Sequence, residues 1–97
     1  MKIIKNMNGT TLEIALEGRL DTLTSTELAT ALEAESGFTD VRFDFAKLEY
    51  LSSSGLRLLF AQRKKLGGKE HVILTNVNPL VSEILRVTGF DQQVTVL

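Results

Sequence analysis

The sequence has no cysteine and no tryptophan, and it has one proline and one histidine. Without cysteine the chain forms neither a disulfide framework nor a thiolate metal site. The histidine and the acidic residues show no metal-ligand spacing. The apolar runs are a few residues long, far short of the ~20 that span a bilayer. A net charge of −1 provides no field to attract nucleic acid. We therefore expect no cofactor, no nucleic-acid partner and no membrane insertion.

The remaining composition is that of an ordinary globular domain. Of the 97 residues, 43% are hydrophobic and 24% are charged, which is typical of soluble proteins. The first residues, Met1–Lys5, alternate charged and apolar side chains and lack the long apolar segment of a signal peptide. We expect one domain over residues 1–97, in the cytoplasm and without an anchor of its own.

Alternation of apolar and polar residues predicts the strands. Asn8 and Gly9 tolerate the positive φ of a tight turn, so the first two strands should form a hairpin. The apolar run Val72–Leu74 predicts a central strand that is covered on both faces. The predicted strands are Lys2–Asn6, Thr10–Glu17, the segment that contains Val41, Phe43 and Phe45, His71–Thr75, and a short strand at Val94 and Val96.

Helical spacing of apolar residues between capping residues predicts three helices. In the first, Thr24 and Glu27 have the spacing of a capping box. Leu23 and Leu28 are placed to form a hydrophobic staple around that box. Gly37 can end this helix in the left-handed conformation.

The second helix is predicted from about Ser54 to Leu66, with Gly67–Gly68 as its stop. The third begins at the cap Asn78, followed by Pro79 in the first turn, and Gly89 ends it. Loops are predicted at Gly18–Asp21 and Leu48–Leu51, and the inner stripe of the third helix at Leu80, Val81, Ile84, Leu85 and Thr88.

The predicted order of elements is β-β-α-β-α-β-α-β. A hairpin followed by alternating helices and strands favours a mixed sheet, because parallel strands need helical crossovers. We therefore predict an α/β fold with a mixed β-sheet, an N-terminal hairpin and three helices packed on the sheet.

Three serines and a glycine, Ser52–Gly55, stand at the start of the second helix. One serine is enough to cap a helix, which stabilises it by ~0.5–2 kcal/mol. A helix N-terminus also favours an anion, and a phosphoserine there would change the surface charge while sparing the fold. The pattern leaves capping, phosphorylation and binding of a free anion open.

A nucleophilic serine has little support. The only histidine, His71, is at the start of a strand predicted to be buried, and no Gly-x-Ser-x-Gly nucleophile elbow is present. We therefore predict no catalytic residue and a protein that is not an enzyme.

The apolar residues of the second helix cover an arc of about 200°, taking 100° per residue. A stripe that faces a core needs only ~100°. Leu56 and Phe60 lie in this arc beside the serines, so either loops cover them or they form an apolar docking patch. Arg57, Lys64 and Lys65 would supply cations nearby. A phosphate beside such a patch would oppose binding through desolvation and like-charge repulsion.

Three segments occur in a recognisable order and spacing. They are Gly18–Asp21, the strand Val41–Phe45, and the run Leu51-Ser52-Ser53-Ser54-Gly55-Leu56-Arg57-Leu58-Leu59. Together they resemble the STAS domains, and within them the bacterial anti-sigma factor antagonists, over nearly the whole chain. Members of that family usually carry Asp-Ser-[Ser/Ala/Thr]-Gly-Leu in the third segment, or a Ser-Ser-Ala-Gly-Leu variant of it, so Ser52 stands at the position that is usually Asp.

The resemblance implies partner switching. The unphosphorylated protein would bind an anti-sigma factor that is also a serine kinase of the histidine-kinase-like ATPase fold, and so release a sigma factor. The kinase would then phosphorylate it and dissociate, and a serine phosphatase would reset it. By position the phosphoacceptor is Ser53, ahead of Ser52 and Ser54, and Ser54 is expected to cap the helix.

The resemblance also implies a partner-binding surface around the serines. Asp21 and Asp44 match acidic or amide positions that line it, and Asp44 is expected to point toward the serine loop. STAS domains serve in membrane transport and stress-signalling complexes as well, so an unphosphorylated subunit of such a complex is the alternative. The predicted partner-binding residues are Asp21, Asp44, Ser52, Ser54, Gly55, Leu56, Arg57 and Phe60.

Overall fold

Five strands and three α-helices alternate along the structure, a computed structural model that describes residues 1–97. The order confirms the predicted β-β-α-β-α-β-α-β. Short 3-10 turns occupy Lys69–His71 and Phe90–Gln92, so His71 lies just before a strand and not in it. The strands are β1 (Lys2–Asn8), β2 (Thr11–Leu20), β3 (Asp40–Leu51), β4 (Val72–Thr75) and β5 (Thr95–Val96), and the helices are α1 (Thr22–Glu33), α2 (Ser53–Leu66) and α3 (Pro79–Val87).

The strands form one mixed sheet in the order β1-β2-β3-β4-β5. β1 and β2 pair antiparallel around a turn in which Gly9 has a φ of 63°, and every other neighbouring pair is parallel. Helical crossovers make the parallel pairs possible. The predicted mixed sheet with its N-terminal hairpin is therefore confirmed.

The helices cover only one face of the sheet. A single cluster of 19 buried hydrophobic residues joins the inward side chains of β2, β3 and β4 to all three helices. The prediction that β4 is covered on both faces is wrong. Ile73 is half-buried, and its register partner Arg42 is exposed on the same uncovered face. None of the helices is long and apolar enough to cross a bilayer.

β2 and β3 are longer than their alternation predicted. The segments Gly18–Leu20 and Leu48–Leu51 were expected to be loops, but they pair with each other as parallel strands. The register shifts between Ala15 and Glu17 and again between Gly18 and Arg19. Such irregularities break the period-two pattern while the strand continues. The pairing ends with Leu20 beside Leu51. Both strands therefore end, and their following helices begin, at the same edge of the sheet.

The start of α1 also differs from the prediction. Asp21, not Thr24, is the N-cap: its carboxylate accepts from the Thr24 amide at 3.0 Å, and the Thr24 hydroxyl accepts from the Asp21 amide at 2.8 Å. Leu23 is 73% exposed, so the predicted staple with Leu28 is absent. Because β2 extends to Leu20, the helix begins earlier than its first apolar residues indicate. The helix also ends at Glu33, before Gly37.

α3 begins as predicted. The side chain of Asn78 accepts from the Val81 amide at 2.8 Å, and Pro79 occupies the first turn. Its inner stripe is narrower than predicted, because Leu80 is 55% exposed while Val81 and Leu85 are buried.

Gly55 lets the first turn of α2 approach the ends of both strands. A Cβ at this position would lie 2.7 Å from Leu51 Cδ1 and 2.9 Å from Leu20 Cγ and Cδ2. Both leucines are at most 1% exposed, so neither has room to move aside.

We predict that Gly55→Ala lowers the free energy of unfolding by about 1–3 kcal/mol, the usual cost of overpacking. Helix propensity alone would stabilise this variant by up to ~1 kcal/mol, so the sign of the change shows which effect dominates. Urea denaturation measures it, with Arg57→Ala, an exposed position of the same helix, as the control. A more stable Gly55→Ala protein would contradict the close packing.

A hydrogen bond between two side chains joins the start of β3 to the turn before β4. His71 Nδ1 donates to Asp40 Oδ1 at 2.7 Å, and the Thr39 hydroxyl donates to the same carboxylate at 2.8 Å. The hydrogen bond from His71, followed by that from Thr39, lowers the pKa of Asp40 from its ordinary 3.8.

We predict that Asp40 stabilises the fold at neutral pH and that this contribution is lost in acid. A lowered pKa in the folded state means that this contribution is complete above pH 3.8 and is lost as the pH falls below it. Asp40→Asn should therefore lower the urea midpoint at pH 7, and the gap to the wild type should narrow below about pH 4. Glu33→Gln, at an exposed position without an ion pair, is the control. A gap that is constant with pH would contradict the prediction.

Candidate functional site

Two helix N-termini lie side by side where β2 and β3 end. The Ser52 amide donates to the Leu20 carbonyl at 2.9 Å, which continues the pairing of the two strands into the first cap. Directly after the two caps, the hydroxyls of Thr22 and Ser54 are 3.2 Å apart. The parallel sheet thus brings Asp21 and the serine cluster together, although 30 residues separate them.

Ser52 caps α2. Its hydroxyl accepts from the Gly55 amide at 3.3 Å, and its carbonyl accepts from the Leu56 amide at 3.0 Å. The prediction that Ser54 is the cap is wrong, because β3 continues to Leu51 and the helix begins as soon as the strand ends. Ser52 is half-buried, and its side chain is committed to the fold.

Ser54 is tied to its neighbours. Its hydroxyl accepts from Arg57 Nη2 at 3.2 Å and lies 3.2 Å from the Thr22 hydroxyl of α1. These contacts link the first turns of the two helices. A group added to Ser54 would have to break both of them.

Ser53 is the free member of the cluster. It is exposed and is the first residue of α2, and the hydrogen bonds of the three serine hydroxyls are all made by Ser52 and Ser54. Neither α1 nor α2 has an acidic residue in its first turn. An added negative charge at Ser53 would therefore meet the positive end of a helix dipole that no carboxylate of its own helix offsets.

Asp21 lies at the edge of this site and is negatively charged. The hydrogen bonds from the backbone and then from the side chain of Thr24 hold the pKa of Asp21 below its ordinary range. As the residue before Thr22, it stands next to the contact between the two helices. A partner that approaches Ser53 from this side would meet a fixed carboxylate.

Asp44 lies elsewhere, so the expectation that it points toward the serine loop is wrong. It is on the uncovered face of the sheet, where its carboxylate accepts from Asn76 Nδ2 at 3.0 Å and from the Ala46 amide at 3.0 Å. Seven residues of strand, about 23 Å, separate it from Leu51. The hydrogen bond from Asn76 has the largest effect on the pKa of Asp44, followed by that from Ala46, and together they hold this pKa below its ordinary range.

An apolar groove runs from Ser53 along α2 to the chain after α3. It has a volume of about 470 Å³ and is lined by Ser53, Leu56, Arg57, Phe60, Phe90 and Gln93. Of the two residues whose exposure was left open, Leu56 is 8% exposed and packs in the core, while Phe60 is 37% exposed. Gly55 is buried as well, so it shapes this surface by letting α2 sit close to the strands.

The far wall of the groove was absent from the sequence prediction. The rings of Phe60 and Phe90 meet edge to face, with centroids 6.1 Å apart and planes at 70°. Phe90 follows Gly89, whose left-handed φ of 73° turns the chain out of α3. That glycine before an aromatic residue was the only local signal, and nothing in the sequence marks Gln93. No three His, Cys, Asp or Glu side chains are grouped so that they could hold a metal ion.

Comparisons with known proteins agree with this fold. A family model described as "Mlab, STAS domain" matches residues 4–97. Among curated proteins, no sequence matches.

Solved structures of anti-sigma factor antagonists are similar in fold. SpoIIAA in its unphosphorylated form has 21% identity, covers 99% of this chain and 88% of its own, and gives a TM-score of 0.82. An antagonist from Mycobacterium paratuberculosis has 22% identity, 98% and 83% coverage, and a TM-score of 0.84. Phosphorylated SpoIIAA, described as a Bacillus cell fate determinant, has 20% identity, 99% and 91% coverage, and a TM-score of 0.73.

We predict that Ser52 and Ser53 differ in their effect on stability. Ser52→Ala removes the cap and should lower the free energy of unfolding by about 0.5–2 kcal/mol. Ser53→Ala removes a free hydroxyl and should change it by less than about 0.5 kcal/mol. Urea denaturation of both variants tests this, and an equal loss in the two would show that Ser53 shares in the cap.

Proposed function

Since the chain belongs to the STAS domain family, we propose that it is an anti-sigma factor antagonist controlled by phosphorylation of Ser53. In its unphosphorylated form it binds a cytoplasmic anti-sigma factor that is also a serine kinase of the histidine-kinase-like ATPase fold. This binding releases a sigma factor. Phosphorylation by the kinase ends the complex, and a serine phosphatase restores the binding form. The chain itself is a substrate and a binding partner, and it catalyses no step.

One observation carries this proposal: the three serines have separate tasks, and Ser53 alone has an exposed hydroxyl without an intramolecular hydrogen bond. A kinase needs a hydroxyl that it can reach and that folding does not use. Ser52 is committed to the cap, and Ser54 is held by Thr22 and Arg57. Ser53 meets both requirements.

The position also suits reversible charge. A phosphoserine carries about −1.5 to −2 charges, and an anion at a helix N-terminus is favoured by ~0.3–1 kcal/mol when exposed. The cap at Ser52 and the packing of Gly55 are untouched by a group on Ser53. The fold should therefore tolerate the phosphate, while the surface that the partner contacts changes its charge.

Ser52 changes the charge beside the proposed acceptor and departs from the family pattern. Where related sequences usually place an aspartate, this chain has a neutral hydroxyl directly before the acceptor. A carboxylate there would repel the phosphate at short range. With serine, the phosphate of Ser53 has no adjacent anion in its own segment, and Arg57 lies one helical turn away on the same helix.

A phosphorylated protein of this fold supports the same view. SpoIIAA has been solved in unphosphorylated and phosphorylated forms, and both resemble this chain over 99% of its length. This fold can therefore carry a phosphate without losing its architecture.

A second candidate function uses the same surface without phosphate. The matching family model is described as "Mlab, STAS domain" and does not name an anti-sigma factor antagonist, so an unphosphorylated STAS subunit of a membrane transport or stress-signalling complex is the second candidate. In that role the exposed Phe60 and Arg57 would form a permanent contact with a partner subunit. Such a contact would persist when Ser53 is replaced by a residue that leaves the groove open.

We predict that the kinases of histidine-kinase-like ATPase fold encoded in the same genome include one that phosphorylates Ser53. Incubation with each purified kinase and Mg-ATP, followed by mass spectrometry, should place one phosphate on Ser53. Ser53→Ala should remain unmodified, because Ser52 and Ser54 are engaged. Ser53→Asp should weaken kinase binding by at least about tenfold in calorimetry, while its unfolding midpoint stays near that of the wild type.

Ser52→Ala is the matched control, because it should still accept phosphate on Ser53. Phosphate on Ser52 or Ser54 would contradict the assignment of the acceptor. No phosphate with any of these kinases, together with copurification of permease and ATPase subunits that Ser53→Asp does not weaken, would favour the second candidate.

A further inference from the structure

We propose that the groove beside Ser53 receives an apolar side chain of the partner that is flanked by carboxylates. The inference rests on the proposed function, since it names the chemistry of the segment that the phosphate would displace. It adds Phe90 to the contact surface and specifies that the partner segment is negatively charged. The occupant is a short acidic segment with a bulky aliphatic or aromatic residue at its centre.

The walls of the groove are apolar, so they favour an apolar side chain of the partner. Leu56 forms its floor, and the rings of Phe60 and Phe90 form a corner where they meet edge to face. Phe60 is 37% exposed although it stands on a helix whose neighbouring Leu59 is fully buried. The volume of about 470 Å³ falls in the range of 300–1,000 Å³ that is usual for ligand sites. An inserted side chain would bury both rings, as interface anchors do.

The one charged residue in the lining of the groove is a cation, whereas Asp91, next to Phe90, and Asp21, beyond Ser53, lie outside the lining. Arg57 lines it, and the guanidinium of Arg63 lies 5.7 Å from the centroid of the Phe60 ring. The other lining residues are polar or apolar, and none carries a carboxylate. Arg63 is itself incompletely satisfied, because its Nε is buried without a hydrogen-bond partner. A segment with acidic residues on both sides of its anchor complements these cations.

Ser53 lies in the lining of the same groove, so its phosphate would act directly on the occupant. A dianion there would add to the negative charge that an acidic segment brings. It would also give Arg57 an anion within the protein, in competition with the partner. The sign of the partner's charge therefore explains why phosphorylation would release it, with no movement of the fold.

The test measures short probe peptides against the full chain labelled with ¹⁵N, by NMR at low salt. The probes are Ac-Glu-Glu-Leu-Phe-Glu-Glu-amide, its counterpart with lysine at all four glutamates, and a third with Ser-Gly in place of Leu-Phe. The acidic apolar peptide should shift the amides of Phe60, Phe90 and Gln93. It should bind at least about tenfold more tightly than either of the others.

Variants assign the effect to the groove. Arg57→Glu should reverse the preference between acidic and basic peptides, whereas Lys2→Glu, which makes the same charge change on β1, should leave the preference in place. Phe60→Ala should abolish the shifts, and Ser53→Asp should weaken the acidic peptide alone.

Equal binding of the acidic and basic peptides, shifts confined to the uncovered sheet face, or no binding at several millimolar would overturn the proposal. None of these results depends on a kinase. If Ser53 is phosphorylated but the groove does not prefer the acidic apolar peptide, the proposed function stands and only this inference is wrong. If the groove prefers the acidic apolar peptide but no kinase phosphorylates Ser53, this inference stands and the proposed phosphorylation is wrong.

Discussion

The parallel pairing of Leu20 with Leu51 determines where two helices begin. Because both strands end at this pair, Asp21 and Ser52 become neighbouring caps, and the Ser52 amide bonds to the Leu20 carbonyl. Gly55 then packs against both leucines, which holds the first turn of α2 close to the sheet. The exposed serine, the contact between Thr22 and Ser54, and the groove along α2 all follow from this geometry. The site is thus a product of the core and not of a flexible loop laid over it.

The kinds and order of the elements could be predicted because apolar periodicity is local. Their ends could not, and the causes are specific. Register shifts near Ala15 and Gly18 interrupt the alternation of β2, so its last residues do not resemble a strand. Several hydroxyl residues between Thr22 and Thr26 are suitable caps, and only the strand end selects Asp21. Alternation places Asp44 opposite Phe43 and Phe45, but it does not reveal that helices cover one face alone. The pairing of Phe60 with Phe90 is a tertiary contact between distant segments, which no local pattern encodes.

Electrostatics and packing divide the surface near Ser53 into two parts. On one side Asp21 holds a fixed negative charge at the cap of α1. On the other side Arg57 and Arg63 border the apolar groove. A charge placed on Ser53 lies between them, at the positive end of α2. Small additions of charge at this point therefore change what the surface attracts, while the 19-residue core behind it stays the same.

The division of tasks among the three serines has an evolutionary consequence. Ser52 and Gly55 are tied to folding, so substitutions there are penalised whatever the protein does. Ser53 carries no such burden, and a single nucleotide change can remove its hydroxyl or restore it without harm to the scaffold. Under the proposed function, lineages of this domain can thus lose regulation at Ser53 and later recover it at the same codon.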